Sequence, residues 1–321
     1  MKKILSFEEF KLEVEKSVIN YLPKQSQNMP ITTKEVYITN GKKDTLNIKV
    51  SNLSNYSVDI ENMYELYKVT GDMKTILKKV GKNYEVIQKK YCISHSSDEN
   101  LQSIKGRIVC HLVNTEQNRK MLEDMPHREF LDMSIIYAVI IDNFDNAEII
   151  SFNINRTYAS LYLKLSEYEL YDLAIKNTKK LFPTVVRSMT EIFGILEENI
   201  TNDKKMAKSD LVVMPADREI YVLSNNAGWH GATCILYEDV LEALACKLDS
   251  DLIILPSSTD EILAVSAKTY SPEQLISLVP GVNFTKVALN KRLSNQIYRY
   301  RRELNMVIPA SNTSLKRLDI L

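Results

Sequence analysis

The chain of 321 residues lacks most of the features that place a protein in a defined functional class. Its longest apolar run, 135–141, is far shorter than the roughly 20 residues that span a bilayer. Charged residues in segment 6–11 leave no apolar core for a signal peptide. The cysteines are too few and too scattered for a disulfide framework, so reduced thiols are expected. They are Cys92, Cys110, Cys234 and Cys246. Together these absences predict a cytoplasmic protein that does not enter a membrane.

Net charge is also absent, because 41 basic residues balance 41 acidic ones. The whole molecule therefore has no electrostatic attraction for nucleic acid or an anionic membrane, and such a partner would need a local patch. A hydrophobic content of 45% with 26% charged residues predicts a folded globular protein. The length favours two subdomains or one large compound domain.

Cofactor and metal motifs are missing as well. The chain has no dinucleotide fingerprint, phosphate-binding loop or hydrolase nucleophile elbow. Cys92, His95, Cys110 and His111 are of types that bind zinc. However, neighbouring Cys110 and His111 on a strand would point to opposite faces, which leaves too few ligands. We therefore expect neither a metal nor a cofactor.

Periodicity predicts a helix and a hairpin at the start of the chain. Ser6 and Glu9 form a capping-box pattern, and apolar residues then recur at helical spacing until Leu22. Alternating segments 34–39 and 45–50 flank Asn40-Gly41, which predicts a hairpin with a loop longer than two residues. Helices are predicted to follow at 60–69 and 72–90.

The remaining chain shows the order β-α-β-β-α twice. The first set of predicted elements is 107–114, 115–123, 130–141, 147–152 and 166–182. The second set is 219–224, 232–248, 251–255, 261–267 and 272–278, and a last strand is predicted at 294–300. This order predicts an α+β fold with two mixed or antiparallel sheets flanked by helices, compatible with tandem units. The predicted regions are 1–105, 106–205 and 206–321, with a linker at 199–209.

Four sequence blocks carry a resemblance to known proteins. They are Ser6–Lys11, Met125–Asp132, Gly231–Tyr237 and Asp251–Ser258. Together they resemble an uncharacterised protein family of anaerobic low-GC Gram-positive bacteria, and the C-terminal half is similar to another bacterial family of unknown function. Neither resemblance implies an activity. Asp260 stands where the resemblance leads us to expect histidine, which weakens a catalytic interpretation of that turn.

His127 and Arg128 form one candidate site, just before the longest apolar strand. One interpretation makes His127 a general base or anion contact and Arg128 a fork for phosphate or carboxylate. The other is a polar latch in which Arg128 with Glu129 or Asp132 satisfies neighbouring backbone groups and fixes the entry to the strand.

The segment 225–231 forms a second candidate site, at the start of a predicted helix. Amide groups at a helix N-terminus favour anions, and tryptophan adds a stacking surface. The candidate ligand-binding residues are Asn225, Gly228, Trp229, His230 and Gly231. The alternative is a strand-to-helix turn with Trp229 held on the core. Cys234 lies where a helix dipole activates a nucleophile, but its apolar neighbours favour a core position.

Basic residues near the C-terminus form a third candidate. Arg299, Arg301 and Arg302 interleave with Tyr298 and Tyr300, a composition suited to phosphate contact and base stacking. Alternation along a strand offers another explanation, in which the tyrosines cover the core and the arginines stay solvated.

These observations favour a cytosolic binding or regulatory protein that recognises a protein partner and is not an enzyme. A mobile-element or phage-related role is compatible with this hypothesis. One alternative is a small-molecule or nucleotide enzyme whose site joins segment 225–231 to His127 and Arg128. Another is nucleic-acid binding through the basic C-terminal strand.

Overall fold

The structure is a computed structural model that describes residues 4–50, 55–94, 98–144, 148–200, 215–256 and 258–310. The α-helices are α1 (Phe7–Ser17), α2 (Ile60–Thr70), α3 (Met73–Ser94), α4 (Asp98–Lys105), α5 (Arg119–Leu122), α6 (Glu167–Leu181), α7 (Met189–Ile200), α8 (Glu238–Lys247), α9 (Pro272–Ile276) and α10 (Leu278–Lys286). The strands are β1 (Ile31–Ile38), β2 (Gly41–Lys49), β3 (Asn55–Asp59), β4 (Ile108–Asn114), β5 (His127–Phe130), β6 (Met133–Phe144), β7 (Glu148–Asn153), β8 (Thr184–Ser188), β9 (Tyr221–Asn225), β10 (Leu252–Leu255), β11 (Ile262–Ser266), β12 (Tyr298–Arg301) and β13 (Met306–Pro309). Across these ranges, none of the helices has the length and apolarity needed to cross a membrane.

The strands form three antiparallel sheets, which confirms the predicted α+β class. The first sheet has the order β1-β2-β3, and the second has the order β4-β6-β5 with β7 also paired to β6. The third has six strands in the order β13-β12-β10-β11-β9-β8. The sequence predicted two sheets and an N-terminal hairpin, and β3 extends that hairpin into a sheet of its own.

The chain forms two compact units that alternate along the sequence. The first comprises Met1–Ile108, Lys120–Pro126 and Ala138–Leu173, and the second comprises Val109–Arg119, His127–Tyr137 and Ala174–Leu321. The three regions expected from the sequence, with boundaries after residues 105 and 205, stay a prediction. From residue 201 onward the predicted linker lies outside the described residues.

The first unit is built on the predicted N-terminal helix. Ser6 accepts a hydrogen bond from the Glu9 amide, and the Glu9 carboxylate accepts one from the Ser6 amide at 2.8 Å. Such a capping box satisfies amide groups that the first helical turn leaves without partners. One face of α1 is then buried with the sheet and with α2 and α3 in a common core. The buried core residues are Phe10, Val14, Val18, Leu22, Leu46, Ile48, Val50, Ile60, Met63, Tyr67, Ile76, Leu77, Val80, Tyr84 and Ile87.

The hairpin between β1 and β2 is tighter than the sequence predicted. Ile38 pairs with Gly41, so the two residues between them form the whole loop, and segment 42–44 belongs to the ladder. The turn is possible because Asn40 adopts a left-handed conformation with φ of 59°. Asparagine tolerates this conformation better than most residues with a side chain.

The second unit contains the six-stranded sheet, and its strands alternate between two buried faces. Ile253 belongs to an apolar cluster with Val279 of α10. The next residue, Ile254, lies opposite Tyr298 of β12, whose side chain is buried. Because adjacent residues on a strand point to opposite faces, both faces of this sheet are covered by apolar groups.

The order β-α-β-β-α occurs along the chain as predicted, with strand β5 added to the first set. Pairing within the sheets differs between the sets. In the first, β6 pairs with both β4 and β7, whereas in the second β11 pairs with both β9 and β10. The two sets therefore share the order of their elements and not the order of their strands.

Candidate functional site

The segment after β9 closes on itself through one side chain. The Oδ1 atom of Asn225 accepts hydrogen bonds from the amides of Ala227 at 3.1 Å and Trp229 at 3.3 Å. Its Nδ2 donates to the Trp229 carbonyl at 2.7 Å, and the Gly228 amide donates to the Asn225 carbonyl at 3.2 Å. Gly228 takes a left-handed φ of 62°, which glycine adopts without steric cost. These amides are used within the turn, so they do not form the anion-binding row that the sequence suggested.

Gly231 allows the next part of the turn to approach β9 and the β10–β11 connection. A Cβ atom on Gly231 would lie 2.2 Å from Ser224 Oγ and 2.4 Å from the Asp260 carbonyl oxygen. The Ser224 hydroxyl donates to that same carbonyl at 2.6 Å. The predicted helix 232–248 begins here as a 3-10 helix, Gly231–Leu236, and continues as α8 after Tyr237.

This close approach places His230 against a histidine of β4. The rings of His111 and His230 stack with centroids 4.1 Å apart and planes 27° apart. Trp229 meets His111 and His230 edge to face at 5.8 Å and 4.5 Å, and its ring lies 5.2 Å from that of Phe182. His111 is 3% exposed, and His230 is half-buried. The site is thus a stacked imidazole pair beside the aromatic rings of Trp229 and Phe182.

Both imidazoles are held in the neutral form. Burial lowers the pKa of His111, and His230 and Lys291 lower it further. Burial and the Lys291 ammonium lower the pKa of His230 to about 3. Desolvation disfavours the imidazolium, and a nearby positive charge adds to that cost. At neutral pH the two rings can therefore stack without charge repulsion.

Lys291 and Asp260 form an ion pair at the edge of this pair of rings. The Lys291 Nζ lies 2.9 Å from Oδ1 and 2.8 Å from Oδ2 of Asp260. Oδ1 also accepts a hydrogen bond from the His230 amide at 3.3 Å. Asp260, which replaces the histidine that the resemblance led us to expect, thus fixes the backbone of His230 and holds a cation beside the rings.

Three buried polar atoms of this region have no hydrogen-bond partner among the described residues. They are Nδ1 of His111, Nδ1 of His230 and Oγ1 of Thr259. A buried donor or acceptor without a partner costs about 1–3 kcal/mol, so proteins leave few of them. The site therefore offers hydrogen-bonding groups that the protein itself does not use.

The buried thiols near these elements are not activated. Cys234 lies in the 3-10 helix and is buried, and burial raises the pKa of its thiol. Burial likewise raises the pKa of the Cys110 thiol to about 12, although a hydrogen bond to Thr178 opposes the shift. A thiolate is the nucleophilic form of cysteine, and these positions disfavour it. The core position expected for Cys234 matches this placement.

His127 shares a sheet face with His111. Hydrogen bonds join the Thr115 amide to the Asp132 carbonyl and the Ile140 amide to the Arg107 carbonyl. In an antiparallel ladder these bonds place His111 opposite Ile136, which also pairs with His127. Residues in such a row point to the same face, and strands two apart are separated by about 10 Å.

Arg128 follows His127 on β5 and therefore points to the opposite face of the sheet. His230 stacks on the face that carries His127. A common site of segment 225–231 with His127 stays a prediction. To contact Arg128 as well, a ligand in such a site would have to reach around β5 to the opposite face of the sheet.

The Met125–Asp132 block makes a partly buried connection through Asp132. Asp132 accepts hydrogen bonds from the Ser294 hydroxyl at 2.7 Å and from the Tyr298 hydroxyl. The Tyr298 ring is buried in β12. Asp132 thus joins this block to side chains far along the sequence. The predicted latch, in which Arg128 with Glu129 or Asp132 satisfies neighbouring backbone groups, stays a prediction.

The basic strand is matched by acidic residues. Arg299 and Arg301 lie 2.8 Å and 3.3 Å from the Asp251 carboxylate, and Arg302 lies 2.9 Å from Asp249. Tyr298 and Tyr300 are each 1% exposed, as expected if they cover the core. The Asp251 carboxylate also accepts the Arg302 amide at 3.0 Å. The arginines therefore carry internal ion pairs and are not simply solvated.

No three of the described histidine, cysteine, aspartate and glutamate side chains are grouped so that they could hold a metal ion. His95 and the side chain of Cys92 fall outside the described residues.

Comparison with known proteins assigns the chain to a family. A model described as a family of unknown function, DUF5688, matches residues 7–302. The chain belongs to this family. No curated protein and no solved structure matches it. The matched range begins at the first residue of α1 and includes every residue of the imidazole pair and its surroundings.

Sequence reasoning found part of this DUF5688 site. It identified Trp229, His230 and Gly231, and it treated His111 only as a zinc ligand. One signal was present, since His111 is the single ionisable imidazole in the apolar strand Ile108–Asn114. Nothing in the sequence linked it to Lys291, because the two positions are 180 apart in the numbering.

Proposed function

We propose that this DUF5688 protein is a cytosolic binding or regulatory protein that recognises a macromolecular partner and does not catalyse a reaction. The observation that carries this proposal is the use of the polar motif residues as internal supports. Asp132 holds Ser294 and Tyr298, and Asp251 holds Arg299 and Arg301. Groups committed to such contacts are not available for transforming a substrate.

The protonation states of the buried groups agree with a role in binding. A general base works best when its pKa lies near the working pH. The pKa of His230 is lowered to about 3, so its imidazole is a weak base at neutral pH. The buried thiols of Cys110 and Cys234 have raised pKa values and remain protonated.

Exposed apolar side chains support a protein partner. Phe284 in α10 is 75% exposed, and Leu289, which follows that helix closely, is 58% exposed. The Arg292 guanidinium lies over the Phe284 ring at 5.3 Å and donates to the Phe284 carbonyl at 3.0 Å. Exposed aromatic groups next to arginine are typical of the central residues of protein interfaces.

An affinity purification from the native host tests this proposal. We expect a specific partner that stays bound at low and moderate salt and is lost with Phe284→Ser. Val69→Ser is the matched control, because Val69 is 85% exposed on α2 in the other compact unit. Recovery of the wild-type protein alone, or equal loss with the control variant, would contradict the proposal.

A small-molecule role is the second candidate, and the unpartnered atoms of His111, His230 and Thr259 favour it. Native mass spectrometry of the protein purified from its host tests this role directly. A bound metabolite that is lost on unfolding supports it. Enzyme activity would further require turnover that disappears when His230 alone is replaced.

Nucleic-acid binding through Arg299, Arg301 and Arg302 is the third candidate. Their ion pairs with Asp249 and Asp251 would compete with phosphate, which makes this role less favoured. If it operates, affinity falls steeply with salt, and alanine at all three positions weakens binding. Unchanged affinity after that substitution would remove the strand from consideration.

A further inference from the structure

The unpartnered polar atoms near His230 belong to one continuous group of segments. The His111 and His230 rings are in contact at 4.1 Å. The Thr259 carbonyl accepts the Ala232 amide at 3.1 Å, and the Thr259 amide donates to the Lys291 carbonyl at 2.8 Å. Thr259 is therefore fixed between the segment that carries His230 and the segment that carries Lys291.

All three unpartnered atoms can act as hydrogen-bond donors. A neutral imidazole can place its proton on either ring nitrogen, and a hydroxyl rotates to suit its acceptor. His111 and Thr259 are 3% and 2% exposed, so bulk water does not readily satisfy them. A bound group that accepts hydrogen bonds would remove the cost of leaving these atoms unpaired.

The local charge selects the sign of that group. Asp260 accepts the Lys291 ammonium on both oxygens and the His230 amide on one of them, so it holds a positive charge beside the rings. The lowered pKa of both imidazoles agrees with this placement of Lys291. A metal cation placed at the rings would meet the repulsion that an added proton meets, whereas an anion would be attracted.

We infer that His111, His230, Thr259 and Lys291 bind an anionic oxygen group of a small molecule, a carboxylate or a phosphate. The rings and the hydroxyl donate hydrogen bonds, and the ammonium supplies the charge. Trp229 provides an aromatic surface for the uncharged part of the same molecule. This inference rests on the small-molecule role given above as the second candidate function.

Nitrogen-15 NMR of the histidine side chains tests the inference on the full chain. Inorganic phosphate and acetate are titrated separately, with sodium chloride at equal ionic strength as the control. We expect saturable changes in the ring signals of His111 and His230 with at least one oxyanion and none with chloride. Equal responses to chloride, or no response to either oxyanion, would overturn the inference.

Variants identify the groups that bind. Lys291→Gln is expected to weaken binding about tenfold or more through loss of a charge-assisted contact, while Lys291→Arg retains it. Lys268→Gln is the matched control, since Lys268 pairs with Asp249 at 2.7 Å outside the site. Equal effects of the two glutamine variants would contradict a specific role for Lys291.

Thr259→Val separates a ligand site from a packing defect. The valine keeps the shape of threonine and removes the unpaired hydroxyl, so the fold should be equally or more stable. We expect weaker oxyanion binding with retained stability. Binding that is unchanged in this variant would argue against the assigned donor.

The outcomes also distinguish this inference from the function on which it rests. A co-purified uncharged or cationic metabolite that moves the ring signals, with no effect of phosphate or acetate, overturns the anion assignment and leaves the small-molecule role standing. Absence of both a co-purified molecule and an oxyanion response overturns both.

Discussion

The hydrogen bond from Tyr298 to Asp132 offers a quantitative test of how the second unit is held together. Tyr298→Phe removes the hydroxyl and keeps the aromatic ring, so apolar burial is retained. Of its two hydroxyl donors, Asp132 then keeps only Ser294, at 2.7 Å. The substitution therefore isolates a hydrogen bond to a carboxylate.

Tyr300 supplies a matched comparison on the same strand. Both tyrosines are 1% exposed, and the Tyr300 hydroxyl donates to Asn305 Oδ1 at 2.6 Å. A hydrogen bond to a charged group contributes about 1.5–3 kcal/mol, whereas one to a neutral group contributes about 0.5–1.5 kcal/mol. We therefore expect Tyr298→Phe to lower the free energy of unfolding by about 1 kcal/mol more than Tyr300→Phe does.

Urea unfolding followed by tryptophan fluorescence measures this difference. Trp229 is the only tryptophan and lies in the same compact unit as both tyrosines, so its signal reports that unit. The two variants should shift the midpoint with unchanged dependence on urea concentration. An equal or larger loss in Tyr300→Phe would refute the assignment of Asp132 as the ionic support of this unit.

Three further predictions concern pH, packing and thiol access. Because the pKa values of His111 and His230 are lowered on folding, the unfolded state takes up protons first as pH falls below about 6.5. The free energy of unfolding should therefore decrease between pH 7.5 and 5.5 by about 1–3 kcal/mol, with roughly half of that decrease lost in His111→Gln. Gly231→Ala should destabilise the protein by more than about 2 kcal/mol, because its Cβ would lie 2.2 Å from a side-chain oxygen, and thermal melting will show this. Gly281→Ala is its control, since nothing lies within 4 Å of the added Cβ and alanine favours the helix, so stability should rise by about 0.5–1 kcal/mol. Alkylation mapped by mass spectrometry should modify exposed Cys246 in the native state. Buried Cys110 and Cys234 should react only on unfolding. Rapid native alkylation of a buried thiol would contradict the packing, and a pH-independent unfolding free energy would contradict the neutral imidazole pair.

Local signals predicted most elements because the cause of each lies within a few residues. The Ser6 and Glu9 pattern indicated the start of α1, and both groups make the expected hydrogen bonds. The Asn40-Gly41 pair indicated the β1–β2 turn, although the loop proved shorter because Asn40 takes the left-handed conformation.

The candidate site was only partly predictable, because its geometry depends on contacts between distant segments. Trp229, His230 and Gly231 were recognised from their position between a strand and a helix. Their partners His111 and Lys291 were not, since no local pattern says which strand or turn will be brought against them.

Charge shows the same division. The sequence showed arginines interleaved with tyrosines near the C-terminus, which suggested either phosphate contact or solvated side chains. The fold brings Arg299 and Arg301 to Asp251, so their charges are partly neutralised within the protein.

What the sequence determined by itself was the class of fold and the position of most helices and strands, because hydrophobic periodicity, capping and turn chemistry act over a few residues. Only the tertiary structure decided which polar groups support the architecture and which are left without partners. Desolvation and ion pairing depend on neighbours in space, and here those neighbours come from positions as far apart in the chain as His111, His230 and Lys291.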